Sequence, residues 1–150
     1  ILEELRLGSR DLKHGKNFQC IEPVNIYECS LGDDVFVGPF AEIQKDVVVG
    51  NRTRIQSHSF ICSLVTIGDD CFIGHGVMFT NDKFHNSGPA RHNENFYGKT
   101  QIGDRVSIGS NATILPVIIV SDVIIGAGSV VTKNIDVPGV YCGNPAVRIK

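Results

Sequence analysis

Side chains able to do chemistry gather in ten consecutive positions, Ile73-Gly74-His75-Gly76-Val77-Met78-Phe79-Thr80-Asn81-Asp82. An unperturbed imidazole titrates near neutrality, which makes His75 a candidate proton acceptor. Asn81 and Asp82 can orient a polar group and supply charge, although the same two side chains also begin turns well. His58 is a further candidate, His85 and His92 stand in a polar stretch where spacing selects neither, and His14 reads as a surface residue. The five cysteines, Cys20, Cys29, Cys62, Cys71 and Cys142, form no Cys-x-x-Cys pair. They are expected to be reduced thiols, neither metal ligands nor disulfides. There is no Gly-x-x-x-x-Gly-Lys loop to cradle phosphate.

A repeat carries these residues. Counting in sixes lands on Leu31, Val37, Ile43, Val49, Ile55, Ile61, Ile67, Ile73 and Phe79. Four residues after each of the first eight comes a second column, Val35, Ala41, Val47, Thr53, Ser59, Val65, Cys71 and Val77, small or β-branched throughout. Helical burial recurs at three and four residues and a flat strand at two. A strict six with two inward columns therefore fits short strands joined by tight corners, each winding stacked on the last. The phase breaks after Phe79, because Ile102 lies 23 residues on, and residues 81–100 read as an excursion loop facing substrate. Phase returns at Ile102, Ile108 and Ile114, with Val106 and Ala112 in the small column. Ile114 to Ile125 is one residue short of two units, and Ile125, Val131 and Val137 carry the last units before Gly143-Asn144-Pro145-Ala146. Residues 1–20 show no hexad phase and are rich in charge (Glu3, Glu4, Arg6, Arg10, Asp11, Lys13, Lys16). Residues 1–24 are expected to form an irregular lead-in or cap, since a solenoid needs an atypical end unit. The expected fold is all-β, a single domain over 1–150 with about five coils, on the order of 25 Å long at about 4.8 Å per layer.

The units Leu-Gly-Asp-Asp-Val-Phe, Val-Gly-Pro-Phe-Ala-Glu and Ile-Gly-Asp-Asp-Cys-Phe resemble the hexapeptide repeat of the left-handed β-helix acyltransferases. In that family three units make one coil and residues 18 apart stack; the left-handed sense comes from the resemblance. The segment ending Phe79-Thr80-Asn81-Asp82 is similar to the region of sugar-nucleotide N-acetyltransferases that precedes an excursion loop. So is the closing stretch from Lys99-Thr100-Gln101-Ile102-Gly103 through Ile125-Gly126-Ala127-Gly128-Ser129-Val130-Val131-Thr132-Lys133. Relatives of this kind acetylate 3-amino sugars carried on dTDP or UDP.

The resemblance implies direct attack of a substrate amine on the thioester of acetyl-CoA in a ternary complex. On that reading His75, Asn81 and Asp82 are the catalytic candidates, and His58, Phe84 and Arg91 meet the nucleotide-linked amino sugar. Relatives lay the pantetheine arm in a groove between neighbouring prisms. Gly109 and Ala127, 18 apart, would then stack on one face and admit it closely, while Lys133 and Arg148 meet phosphates. Glycine after the aliphatic position is equally a feature of the repeat itself. A homotrimer with active sites between subunits is implied, and bulky outward Phe36, Phe60, Phe72 and Met78 agree with subunit contacts.

O-acetylating relatives carry a base in a short segment ending His-Pro near this corner, where the chain reads Asn81-Asp82-Lys83-Phe84. A hydroxyl needs that base more than an amine does, which favours amine acetylation over the rival sugar O-acetyltransferase. A non-catalytic scaffold is the alternative outside enzymes. Some β-helix proteins bind a divalent metal through three histidines; here Thr80 stands where the third would follow His75, so no metal is expected. A hydrophobic content of 42% in 150 residues can sustain one core. A net charge of -2 argues against nucleic acid or an anionic membrane as partner. There is no 18-residue apolar run and no signal-peptide core at the start, so a cytoplasmic location is expected. Ile1 in place of Met suggests either trimming of the chain or a boundary at which the sequence was cut.

Overall fold

Strands of two or three residues separated by four-residue corners are what the hexad builds, and the computed structural model, which describes residues 8–150, arranges them as three flat walls. The lead-in residues Glu3, Glu4 and Arg6 lie outside the described residues. The first wall stacks seven strands: Gly8–Arg10, Asn25–Tyr27, Glu42–Ile43, Phe60–Ile61, Met78–Phe79, Thr113–Ile114 and Val130–Val131. The second stacks Lys13–His14, Ser30–Leu31, Val48–Val49, Val65–Ile67, Thr100–Ile102 and Ile118–Ile119. The third stacks Gln19–Cys20, Phe36–Val37, Arg54–Ile55, Phe72–Ile73, Ser107–Ile108, Val123–Ile125 and Gly139–Cys142. Every pairing among these is parallel and joins neighbouring coils of a left-handed β-helix. The third wall is closed by Val147–Arg148, which folds back antiparallel onto Tyr141 and Cys142.

The three corners obey different rules. Steps from second to third wall are six residues in every coil, from His14 to Cys20 up to Ile119 to Ile125. So are the steps from third wall to first, from Cys20 to Ile26 up to Ile125 to Val131. The corner from first wall to second varies. Five residues separate Ser9 from His14, Ile26 from Leu31 and Ile114 from Ile119, while six separate Ile43 from Val49 and Ile61 from Ile67. Val131 to Ile135 is four, and Phe79 to Ile102 is 23. All length variation, the excursion included, is confined to one edge of the prism.

Both inward columns are buried from Leu31 to Phe79. The two hydroxyls in the small column pair inside the coil, Thr53 Oγ1 donating to Gly68 O and Ser59 Oγ to Gly74 O, each at 2.9 Å. The second corner holds the layers together through side chains. Asp33, Asn51, Asp69 and Asp104 each accept, at Oδ1, the backbone N–H of the residue one coil earlier, Lys16, Asp33, Asn51 and Asp69, at 2.7 to 2.9 Å. Ser121 Oγ closes the series on Asp104 N. This ladder is the reason for the glycine before it: a Cβ on Gly68 would fall on Asp104 Oδ1 and lie 2.7 Å from Gly103 O. The next position in each corner has φ near +55° and carries a second, exposed ladder, Asn17 to Asp34, Arg52 to Asp70 and Arg105 to Asp122. The Arg52 and Arg105 hydrogen bonds hold Asp70 and Asp122 below the usual carboxylate range.

Three expectations change. There are seven coils rather than about five: residues 8–20, expected to be irregular, form a coil of their own, and Val130–Val131, Ile135 and Gly139–Cys142 complete another at the far end. In the first of these the register residues Ser9, His14 and Cys20 are not buried aliphatics, so the aliphatic column does not mark this coil, although Leu12 and Phe18 in the second column pack against the core. Val137 is 53% exposed and the last inward place belongs to Ile135, since the final first corner has shrunk to four residues. The five-residue step at Ile114–Ile119 also makes the local repeat 17, so Gly109 registers with Gly126 rather than with Ala127.

Gly68→Ala is expected to destabilise by about 1–3 kcal/mol through overpacking. Thr100→Val should raise Tm: Thr100 Oγ1 is buried without a partner among the described residues, and its column neighbours Val65 and Val117 are valines. Thermal melts of the two variants check both. Burial pushes the Cys29 thiol up to about 11 and Cys62 up to about 12. At pH 8 a thiol reagent should therefore label half-buried Cys20 and Cys142 first, and reach Cys29, Cys62 and Cys71 only on unfolding.

Candidate active site

His75 sits at the third corner, two residues beyond inward Ile73, with its ring exposed. The column it shares is Ser57 below, Ser110 above and Ala127 above that. Ser57 Oγ lies 2.9 Å from His75 Nδ1. The columns beside it hold Gly74, Gly109 and Gly126 on one side, and Gly76, Asn111 and Gly128 on the other. Above the imidazole the wall is thus a shelf of small side chains. Gly109 owes its glycine to stacking, for a Cβ there would lie 2.5 Å from Ala127 N. Ala127 and Gly128 are exposed, and a Cβ on Gly128 would meet nothing within 4 Å. His58 occupies the same corner one coil below Gly76, with φ at 62° and its ring stacked on Phe40 at 4.9 Å.

Asn81 and Asp82 stand at the first corner of the same coil, separated from His75 by the strand Met78–Phe79. They form the neck of the excursion. Gly98 N donates to Asn81 O at 2.7 Å, and Asp82 bridges antiparallel to Tyr97. Asn81 Nδ2 donates to Ser63 O at 3.1 Å and Ser63 Oγ at 2.9 Å, one coil below. Asp82 uses both oxygens on its own loop, accepting Phe84 N at 2.9 Å and Ala90 N at 2.7 Å. Turn chemistry and site placement are therefore the same interaction here.

The loop folds against its own prism. It ends in a 3₁₀ turn, Glu94–Phe96, capped by Asn93, and Glu94 pairs with Lys45 two coils below the neck. That hydrogen bond raises the Lys45 pKa. Beneath the loop lies a polar cavity of about 340 Å³ lined by Tyr27, Gln44, Lys45, Ser63, His92, Glu94 and Tyr97. Burial, then the nearby Glu42 charge, pushes the Tyr27 phenol up. On the loop's other side a more apolar hollow of about 370 Å³ is lined by Thr80, Asp82, Lys83, Phe84 and Leu115. Phe84 is 61% exposed at this hollow, and Arg91 is exposed on the loop. Lys133 is exposed at the last first corner, whereas Arg148 lies on the closing strand of the third wall and donates to Pro138 O at 3.3 Å. The structure brings His75, Ala127 and the shelf together and sets Lys133 at the first corner and Arg148 on the third wall, apart from each other. Among the described residues no three His, Cys, Asp or Glu side chains converge on a metal site. No described helix is long and apolar enough to cross a membrane.

Residue chemistry alone did not single out Ser57, Ser63, Tyr27, Gln44, Lys45 or Glu94. Counting back 18 from His75 and from Asn81 finds the two serines; the others come together only through the fold of the loop.

Residues 28–63 match the family described as bacterial transferase hexapeptide (six repeats). Residues 64–78 and 99–133 match the hexapeptide repeat of succinyl-transferase, and the gap between those two stretches is the excursion. Together the matches span more than half of the chain. The bifunctional protein GlmU of Trichodesmium erythraeum is 32% identical over 153 residues, covering 91% of this chain. The chain spans 30% of that relative's length. A variant of perosamine N-acetyltransferase from Caulobacter crescentus, solved with CoA and GDP-perosamine, superposes with a TM-score of 0.66 at 22% identity. The match covers 89% of this chain and 53% of that one. A variant of AntD, an N-acyltransferase from Bacillus cereus solved with dTDP-4-amino-4,6-dideoxyglucose and coenzyme A, superposes with a TM-score of 0.64 at 24% identity. That match covers 93% of this chain and 83% of the other.

Asp82→Ala should release the loop at both of its backbone anchors while leaving the coils intact. Limited proteolysis is expected to cut within residues 83–97 at least several times faster, with Tm little changed; equal cutting rates would mean that the carboxylate does not hold the loop.

Proposed function

The chain belongs to the hexapeptide-repeat transferases, and on that premise we propose that it is an acetyl-CoA-dependent N-acetyltransferase acting on a nucleotide-linked amino sugar. The observation that carries the reading is the placement of exposed His75 beneath a shelf of Ser110, Ala127 and Gly128, one short strand from the neck of a long polar loop. That arrangement gives an extended, narrow acyl donor a flat wall to lie on and a polar acceptor a walled space beside it. The bound ligands of the two solved neighbours support the same pairing of donor and acceptor.

The chemistry runs as a single displacement. The neutral amine attacks the thioester carbonyl, forming the C–N bond and a tetrahedral oxyanion. His75 Nε2 takes the proton the nitrogen must lose. The intermediate collapses, the C–S bond breaks, and the thiolate leaves to be protonated as CoA thiol. Asn81, held by Ser63, offers its amide oxygen to orient the amine; Asp82 contributes by shaping the loop. His58 and Phe84, on either side of this region, and Arg91 on the loop contact the sugar nucleotide, and Lys133 and Arg148 meet CoA phosphates contributed across a subunit groove. A homotrimer is proposed for that reason, supported by Phe72 and Met78, each 42% exposed on flat walls. Five free thiols support a cytoplasmic setting.

Release of CoA thiol from acetyl-CoA, measured across dTDP- and UDP-linked amino sugars and their hydroxyl counterparts, tests the reading. Turnover is expected with amino sugars. Turnover with hydroxyl sugars only would make the protein an O-acetyltransferase, and silence without acetyl-CoA binding would make it a scaffold. Asn81→Ala should lower turnover by about tenfold or more with the oligomer intact; an unchanged rate removes Asn81 from the site.

A further inference from the structure

We propose that Ser57 is the positioning residue of His75: its hydroxyl oxygen accepts a hydrogen bond from Nδ1–H, which leaves Nε2 bare to accept a proton. The proposal rests on His75 being the proton acceptor of the reaction above. A neutral imidazole carries one proton on one of two nitrogens, and the partner of one nitrogen decides the state of the other. At 2.9 Å from Nδ1, Ser57 Oγ is that partner.

Ser57 is held in place by a backbone hydrogen bond between the two coils. Its carbonyl accepts the N–H of Gly76, the residue after His75, at 3.0 Å. Hydroxyl and imidazole therefore stand in one column on backbones tied to each other, and their spacing is set by the layer repeat rather than by a flexible loop. The other imidazole at this corner, His58, is engaged on Phe40 and does not compete for the serine. A serine oxygen can accept while its own proton turns to solvent. When Nε2 gains a proton the ring has two N–H groups to satisfy, and the one at Nδ1 already has its acceptor. The proton that leaves the amine thus arrives on a ring whose far side needs no rearrangement.

Protein carrying ¹⁵N-labelled histidine reads the tautomer directly, through long-range ¹H–¹⁵N correlations of the His75 ring at a pH where it is neutral; loss of the signals in His75→Gln assigns them. The native protein is expected to show Nδ1 protonated and Nε2 bare. Ser57→Ala should move the ring towards the Nε2–H form favoured by free histidine, and Ser57→Thr should restore the native pattern. A native ring with Nε2 protonated, or one whose tautomer is the same in Ser57→Ala, overturns the proposal. In the thiol-release assay Ser57→Ala should lower kcat roughly tenfold, part of the hundredfold or more a positioned base supplies, with recovery in Ser57→Thr. If the tautomer responds as stated but His75→Gln turns over at the native rate, the catalytic reading of His75 fails while the Ser57 pair stands.

Discussion

Stacking peptide chains about 4.8 Å apart leaves no room for improvisation at a corner, where backbone N–H groups must be paired without a neighbouring strand to pair them. In this protein the second corner meets that demand with side chains. Asp33, Asn51, Asp69 and Asp104 each reach back one coil and take an amide hydrogen, and the oxygen that does so fills the space a Cβ would need on the residue before. The glycine of one coil and the side-chain oxygen of the Asp or Asn one coil later are one device. With it in place every step across that corner is six residues, and the aliphatic columns on the adjoining walls stay in register over the whole prism.

Freedom is concentrated elsewhere. The first corner accepts four, five, six or 23 residues, and the side-chain bonds that cross it, such as Ser63 N–H to Gln44 Oε1 and Asn81 Nδ2 to Ser63 O, are separate pairs rather than one repeated ladder. Chain length can change there without disturbing the other two edges, and this is where the loop, its Asn81-Asp82 neck and the polar cavity under it are found. The third corner lies between these extremes. It keeps a fixed step of six but varies its side chains, from Phe40 and His58 below to Gly76 and Gly128 above, and there His75 faces outward. The side-chain ladder and the candidate site thus lie on different edges of the same triangle.

This division also explains what could be read from residues alone. Ile and Val recurring every six, with small residues four places on, announce the walls because burial enforces them in each coil; the 23-residue gap announces the loop for the same reason. Where burial is weak the pattern fades. Ser9, His14 and Cys20 occupy the register positions of the first described coil and are not buried aliphatics, so the aliphatic column does not mark it, and Ile135 replaces Val137 because the last first corner is two residues shorter than six. The pairing of Ser57 with His75 needs only the repeat length. The meeting of Lys45 with Glu94 needs the path of the loop, which follows no period.

The strand Val147–Arg148 turns back antiparallel onto Tyr141 and Cys142. A parallel solenoid is in principle an open-ended polymer, since each coil presents the next with the same hydrogen-bonding rim it received. By reversing direction, this strand offers an arriving coil a rim of the wrong polarity on the third wall. A further parallel coil therefore finds no matching rim at this strand, while the flat walls of the prism keep their faces open to side-by-side contact.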